Sequence, residues 1–183
     1  LATGSLPIIP NLKGMDLENV QQVKIFQNAA EVIEKLKNPA IKNIAVVGAG
    51  YIGVELAEAF KRHEKNVVLI DAMSRSLSNY YDPEFTALMD KNLSDHGIQL
   101  EFDQKVQEIK GTTKVEAVVT DIKEYPCDMV VVCIGFRPNT ALGKDVLKTF
   151  KNGAYLVNKK QETSMKDVYA IGDCATVFDN ALG

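Results

Sequence analysis

Three glycines and one acid carry the clearest chemistry in this chain. Gly48, Gly50 and Gly53 lie in the run Gly48-Ala49-Gly50-Tyr51-Ile52-Gly53, and Asp71 follows 18 residues after Gly53. Glycines at this spacing suit a pyrophosphate. The first permits a tight turn, the second lets backbone approach the phosphates with no Cβ in the way, and the third lets a helix pack close to a strand. Free N–H groups at the positive end of that helix then face the anion. The Asp71 carboxylate could accept hydrogen bonds from both hydroxyls of an adenosine ribose. A 2′-phosphate there would place like charges about 4 Å apart, a repulsion of about 4 kcal/mol per charge pair at an effective dielectric near 20. The pattern therefore predicts a dinucleotide, and NAD(H) before NADP(H). Arg75, four residues on, pulls the other way: its guanidinium either offsets part of that repulsion or is a solvated loop charge. Tyr80 and Tyr81 follow in the same loop, beside the adenine or packed on the surface.

Such a loop needs a strand before it and a helix after it. Residues 41–47 form a nearly continuous apolar run, as in a strand buried on both faces of a parallel sheet. Residues 51–61 predict a helix with Ile52, Leu56, Ala59 and Phe60 on its apolar side. Residues 67–70 predict a second buried strand, ending at Asp71. Upstream, residues 1–27 read as irregular. Asn28 is then placed as the N-cap of a helix, with Glu31 completing a capping box. Its stripe is Ala29, Val32, Ile33 and Leu36, and Asn38-Pro39 ends it. Downstream, residues 83–96 predict a helix with Pro83 in its first turn, a stripe of Phe85, Leu88, Met89 and Leu93, and Gly97 as its C-cap. Residues 98–102 predict a third strand. Residues 105–110, 114–120 and 121–125 alternate polar and apolar, as in an antiparallel meander with one solvated face. Residues 129–134 and 168–171 predict two more buried strands. The fold class is α/β: a Rossmann-like parallel sheet with helices and an antiparallel β-meander.

The totals fit that reading. At 183 residues the chain can bury a sizeable core, and 46% apolar with 25% charged residues is the balance of a soluble globular protein. A net charge of −3 gives no basic footprint for nucleic acid. The apolar runs are too short to span a bilayer, and the opening Leu-Ala-Thr-Gly lacks the basic segment and apolar core of a signal peptide. Three cysteines, Cys127, Cys133 and Cys174, lack paired spacing, and two histidines are too few for a convincing zinc site. A reducing, cytoplasmic setting is expected, with no metal. His63 and His96 read as solvated helix-end residues.

Several segments together resemble a known family. Val-Val-Gly-Ala-Gly-Tyr-Ile-Gly-Val-Glu-Leu-Ala (residues 46–57), Ala2-Thr3-Gly4, Gly135-Phe136-Arg137-Pro138-Asn139 and Tyr169-Ala170-Ile171-Gly172-Asp173 resemble the pyridine nucleotide–disulfide oxidoreductases in order and spacing. Leu69-Ile70-Asp71 and Tyr81-Asp82-Pro83-Glu84-Phe85-Thr86 look most like the water-forming NADH oxidases within that family, with NADH peroxidases and coenzyme A disulfide reductases close behind. The resemblance implies a three-layer FAD/NAD(P)-binding fold and an enzyme moving a hydride from NADH to FAD, then electrons to oxygen or a peroxide. It implies that Tyr51 stacks over the flavin and swings aside for nicotinamide, that Glu55 lies near the carboxamide, and that Ile52 belongs to the same cofactor-binding run. By the same resemblance Tyr80 contacts the adenosine end and Gly135 lines the nicotinamide site, while Thr3, Gly4, Gly172 and Asp173 contact FAD. The family's own FAD-binding glycine loop, its redox-active cysteine and its dimerisation domain have no counterpart here. The chain is therefore expected to be a fragment. Residues 28–150 would form the NAD(H)-binding domain, with residues 1–27 and 151–183 as pieces of a FAD domain, and no catalytic residue of its own. A stand-alone NAD(H)-binding module is the alternative.

Overall fold

The computed structural model describes residues 1–177. In chain order its elements begin with β1 (Ser5–Pro7), β2 (Val20–Gln21), α1 (Phe26–Leu36), β3 (Asn43–Val47) and α2 (Tyr51–Arg62). Next come β4 (Asn66–Ile70), α3 (Pro83–Asp95), β5 (Gln99–Glu101), β6 (Val106–Gly111), β7 (Val115–Thr120) and β8 (Glu124–Pro126). The last are β9 (Met129–Val132), β10 (Phe136–Pro138), β11 (Tyr155–Val157) and β12 (Ala175–Val177). They fall into two compact units: Ile9–Gly135, and Leu1–Ile8 with the described part of Phe136–Gly183.

The unit Ile9–Gly135 has three layers. Its centre is a five-stranded sheet in the order β2-β9-β3-β4-β5, and every neighbouring pair is parallel. Alternation along the strands sends side chains to two separate cores. Ile44, Val46, Leu69, Met129 and Val131 face one way, against Val32 and Leu36 of α1, Ala57 and Phe60 of α2 and Leu93 of α3. Ala45, Val47, Val68, Ile70, Val130 and Val132 face the other, against Ile109, Val115, Val118 and Tyr125 of the antiparallel β6-β7-β8 meander. A sheet covered on both sides requires apolar residues at every position, which is why these strands read as continuous apolar runs. Burying a side chain such as Phe60, 1% exposed, stabilises the unit by about 1.5–3 kcal/mol.

Several details differ from the expectations. Helix α1 starts at Phe26, with Ile25 as its N-cap. Asn28 is the third helical residue, and its Oδ1 reaches back to accept the Lys24 and Ile25 N–H groups at 3.3 and 3.2 Å. It performs the return half of a capping box rather than the cap itself. On α2 the buried residues are Gly53, Val54, Ala57 and Phe60, so the face is rotated from the expected stripe by the close approach at Gly53. On α3 Phe85 and Leu88 are 63% and 67% exposed, whereas Thr86 and Leu93 are buried. Thr86 tolerates burial because its hydroxyl donates to the Pro83 carbonyl at 3.2 Å. The end of α3 is as expected: Gly97 N–H bonds to Ser94 and Ile98 N–H to Leu93, the paired bonds of a Schellman cap. In the region expected to be irregular, β2 adds a short edge strand to the sheet.

The second unit pairs β1 antiparallel with β10, and β11 parallel with β12. Its small core holds Leu147, Tyr155, Val157, Ala170 and Cys174. The strand expected at 168–171 does not form as a sheet strand. Its backbone goes instead to an isolated bridge between Glu162 and Tyr169 and to the first residue: Ile171 N–H donates to the Leu1 carbonyl, and the Leu1 amine donates to the Tyr169 carbonyl.

Candidate functional site

The glycine loop joins β3 to α2, and its geometry separates the three glycines. Gly48 has φ 105°, and an added Cβ would lie 2.3 Å from the Cys133 carbonyl oxygen, so both backbone conformation and space demand glycine. A Cβ on Gly53 would lie 1.8 Å from the Gly48 carbonyl oxygen, because the first turn of α2 rests on the loop. Gly50 differs. It is the N-cap of α2 in ordinary extended conformation, and its Cβ would meet only the Tyr80 ring, at 3.8 Å. Neither packing nor backbone conformation within the protein accounts for a glycine there. No side chain caps α2, and its first turn holds no acidic residue, so its N–H end is open to an anion.

Asp71 follows β4, beside that loop. Its Oδ2 accepts the Ala49 N–H at 2.5 Å and its Oδ1 accepts the Met73 N–H at 2.7 Å. The carboxylate thus ties the glycine loop to the segment after β4, and each oxygen keeps acceptor capacity for a further donor. Leu77 adds a second tie, donating its N–H to the Ala49 carbonyl at 2.8 Å. Sequence reasoning missed that anchor; Leu77 is a buried leucine at φ 54°, a conformation with no signature in its residue type. Arg75 does not stand free: its guanidinium lies 3.4 Å from Asp90, whose other oxygen takes the buried Ser76 hydroxyl at 2.6 Å.

Three tyrosines stand over this loop. The rings of Tyr51 and Tyr80 are 4.4 Å apart between centroids, and the Tyr51 hydroxyl donates to that of Tyr81 at 2.9 Å. All three are about half exposed. That hydrogen bond, then burial, pushes the Tyr51 hydroxyl above its ordinary pKa. Ile52 is half-buried and Glu55 exposed on α2, while Gly135 lies three residues beyond β9. Gly48, Gly50, Tyr51, Gly53, Asp71 and Tyr80 thus form one neighbourhood.

Thr3, Gly4, Gly172 and Asp173 meet in the other unit. Ser5 Oγ donates to Asp173 Oδ2 at 2.7 Å across 168 positions of sequence, and Thr3 Oγ1 donates to the Asn139 carbonyl at 2.5 Å. Cys174 is buried beside them, its thiol directed at the Ile171 carbonyl 3.2 Å away. Burial pushes the Cys127 and Cys133 thiols up to about 12, so neither is a thiolate at neutral pH.

Residues 1–182 match the pyridine nucleotide-disulphide oxidoreductase family. The chain belongs to that family. It is 56% identical over 191 residues to an NADH oxidase of Streptococcus pyogenes, covering 98% of this chain and 42% of that one. It is 36% identical to a CoA-dependent NAD(P)H sulfur oxidoreductase of Pyrococcus furiosus, covering 95% of this chain and 39% of the relative. Among solved structures, the water-forming NADH oxidase of Lactobacillus brevis bound to NADH is 38% identical with a TM-score of 0.89, over 95% of this chain and 38% of that one. An engineered variant of that enzyme bound to NADPH is 36% identical with a TM-score of 0.89, over the same shares. The chain spans about two-fifths of the length of the relatives it matches. Among the described residues no helix is long and apolar enough to cross a membrane.

Proposed function

We propose that this chain is the NAD(H)-binding part of a flavin-dependent NADH oxidase-type oxidoreductase. The observation that carries the proposal is Gly50: the fold does not require glycine there, but a pyrophosphate seated on the N-terminus of α2 does. In this reading the N–H groups of the loop and of the first turn of α2 hold the phosphates. Asp71 accepts from the adenosine ribose, Tyr80 flanks the adenine, and Tyr51, Glu55 and Gly135 line the nicotinamide end, with Ile52 in the same run. NADH supplies a hydride, FAD takes it, and oxygen or a peroxide is the final acceptor; the protein's own work is to orient the nicotinamide. Residues 28–150 form the nucleotide domain. Thr3, Gly4, Gly172 and Asp173 hold FAD from the flanking pieces 1–27 and 151–183, of which residues 178–183 lie outside the described residues. The compaction of Leu1–Ile8 with residues from Phe136 onward supports joining the two ends of the chain, with the breaks near residues 8 and 136 in place of 27 and 151. The remaining flavin and dimerisation domains of the parent are its partners, and three free thiols fit a cytoplasmic setting.

A specific comparison supports NAD over NADP. The NADPH-bound variant differs from its parent at five positions, including a glycine, an aspartate 18 residues later, and the alanine and methionine directly after that aspartate. Gly53, Asp71, Ala72 and Met73 reproduce those types and that spacing. An alanine at Gly53 would have to move the loop against α2, which reshapes the phosphate seat. The engagement of Arg75 by Asp90 fits the same preference. The test is Asp71→Ala: the preference for NADH over NADPH should fall about tenfold, as loss of two ribose hydrogen bonds and of a like charge requires, while loss of the Ala49 tie acts on both nucleotides alike. An unchanged preference would overturn the role of Asp71. The Pyrococcus relative keeps a sulfur-reducing alternative in view for the whole enzyme.

A further inference from the structure

Behind Asp71 lies a buried polar cluster that the cofactor reading does not use. Gln104 is 5% exposed, and its amide is held on three sides. Its Nε2 donates to Glu101 at 2.8 Å, and its Oε1 accepts the Thr120 hydroxyl at 2.8 Å and the Tyr125 hydroxyl at 2.6 Å. Glu101 also takes Lys123 at 2.9 Å and Gln99 at 2.6 Å, and the Lys123 ammonium sits 4.8 Å over the Tyr125 ring. The cluster joins the end of β5 to β7 and β8 of the meander. Only an amide fits its centre, because it must donate to a carboxylate and accept from two hydroxyls at once.

The main chain of this same segment grips Asp71. Asp71 N–H donates to the Glu101 carbonyl at 3.1 Å, Gln104 N–H to the Asp71 carbonyl at 3.0 Å, and Asp103 N–H to the Met73 carbonyl at 3.0 Å. Asp103 makes its bond from φ 55°, a left-handed conformation that costs a non-glycine residue energy and persists where surrounding contacts hold it. Glu101, Asp103 and Gln104 thus hold Asp71 and Met73 through main chain–main chain bonds, and the Gln104 side chain pins that segment to the meander.

We infer that Gln104 is a positioning residue for dinucleotide selectivity: its buried amide, clamped by Glu101, Thr120 and Tyr125, fixes the segment that aims the Asp71 carboxylate at the ribose. The inference rests on the proposed role of Asp71. Carboxylate aim is sensitive to shifts of a few tenths of an ångström, since hydrogen bonds weaken steeply off their geometry.

The test measures NADH and NADPH affinities of this chain by calorimetric titration. Gln104→Met keeps length but removes the amide, and it should lower NADH affinity about tenfold while leaving NADPH affinity within about twofold. Tyr125→Phe, which deletes one oxygen and should fold in any case, should give about a threefold drop in the same direction. Ile109→Val, a change in the same meander's core at a residue outside the cluster's hydrogen bonds, should leave the NADH-to-NADPH ratio alone. In an Asp71→Ala background Gln104→Met should produce no further change in that ratio. If Asp71→Ala collapses the ratio but Gln104→Met and Tyr125→Phe match Ile109→Val, the inference is overturned and the Asp71 reading stands. If Asp71→Ala itself leaves the ratio unchanged, or the parent chain binds neither nucleotide, the underlying reading fails and this inference with it.

Discussion

At the scale of single residues, the three glycines of the loop are not equivalent. Gly48 and Gly53 are demanded by the fold, whereas a Cβ added at Gly50 would meet only the Tyr80 side chain, at 3.8 Å. Substitution separates these roles. Gly48→Ala should destabilise the chain by at least about 2 kcal/mol, since it combines a positive φ with backbone overlap. Gly50→Ala should leave the thermal midpoint within about 2 °C, as surface changes free of such features do, yet weaken NADH by about tenfold or more. Thermal unfolding and NADH titration of the two variants check this; a Gly50→Ala protein that binds NADH as well as its parent contradicts the proposed seat. That these glycines and Asp71 lie together was legible in the sequence because the pattern is local: four positions within 24 residues, each with a residue-type signature. Gln104 was not legible. Its role depends on Thr120 and Tyr125, 16 and 21 positions away, which come beside it only when the meander folds.

At the scale of elements, strands β3, β4 and β9 declared themselves because a strand buried on both faces must be apolar throughout. The meander declared itself through alternation, and α3 through Pro83 and Gly97. What escaped were elements of two or three residues, β1, β2 and β10 to β12, whose pairing comes from distant chain rather than local pattern. On α2 and α3 half of each expected stripe packs on the core, Leu56 with Phe60 and Met89 with Leu93; a glycine contact in one and a self-satisfied threonine in the other displaced the rest. The tie between β5 and the meander has a pH signature. Burial opposes ionisation of Glu101, but hydrogen bonds from Gln99, Lys123 and Gln104 prevail and lower its pKa to about 2. A carboxylate depressed by folding contributes stability that is fully present above its unfolded pKa and is lost as pH falls toward its folded one. The thermal midpoint should therefore decline from the ordinary carboxylate range down to about pH 2, with the Glu101→Gln variant showing a shallower decline. Parallel profiles for the two proteins would show that Glu101 does not contribute.

At the scale of the molecule, the nucleotide neighbourhood lies wholly within the unit Ile9–Gly135, while the residues proposed for FAD lie in the other. The relatives matched here are more than twice as long as the chain. On the proposed reading, electron transfer needs the flavin-holding remainder of the parent. The 183-residue chain with NADH and added FAD should consume oxygen at the protein-free rate; turnover typical of a flavoenzyme would show that a complete flavin site forms here. Binding, by contrast, should not require the remainder. The most direct measurement is calorimetric titration of the chain with NADH and, separately, NADPH. The account predicts saturable NADH binding with NADPH at least about tenfold weaker, the consequence of a carboxylate at Asp71 facing a 2′-phosphate. Equal affinity, or no binding of either, would contradict it.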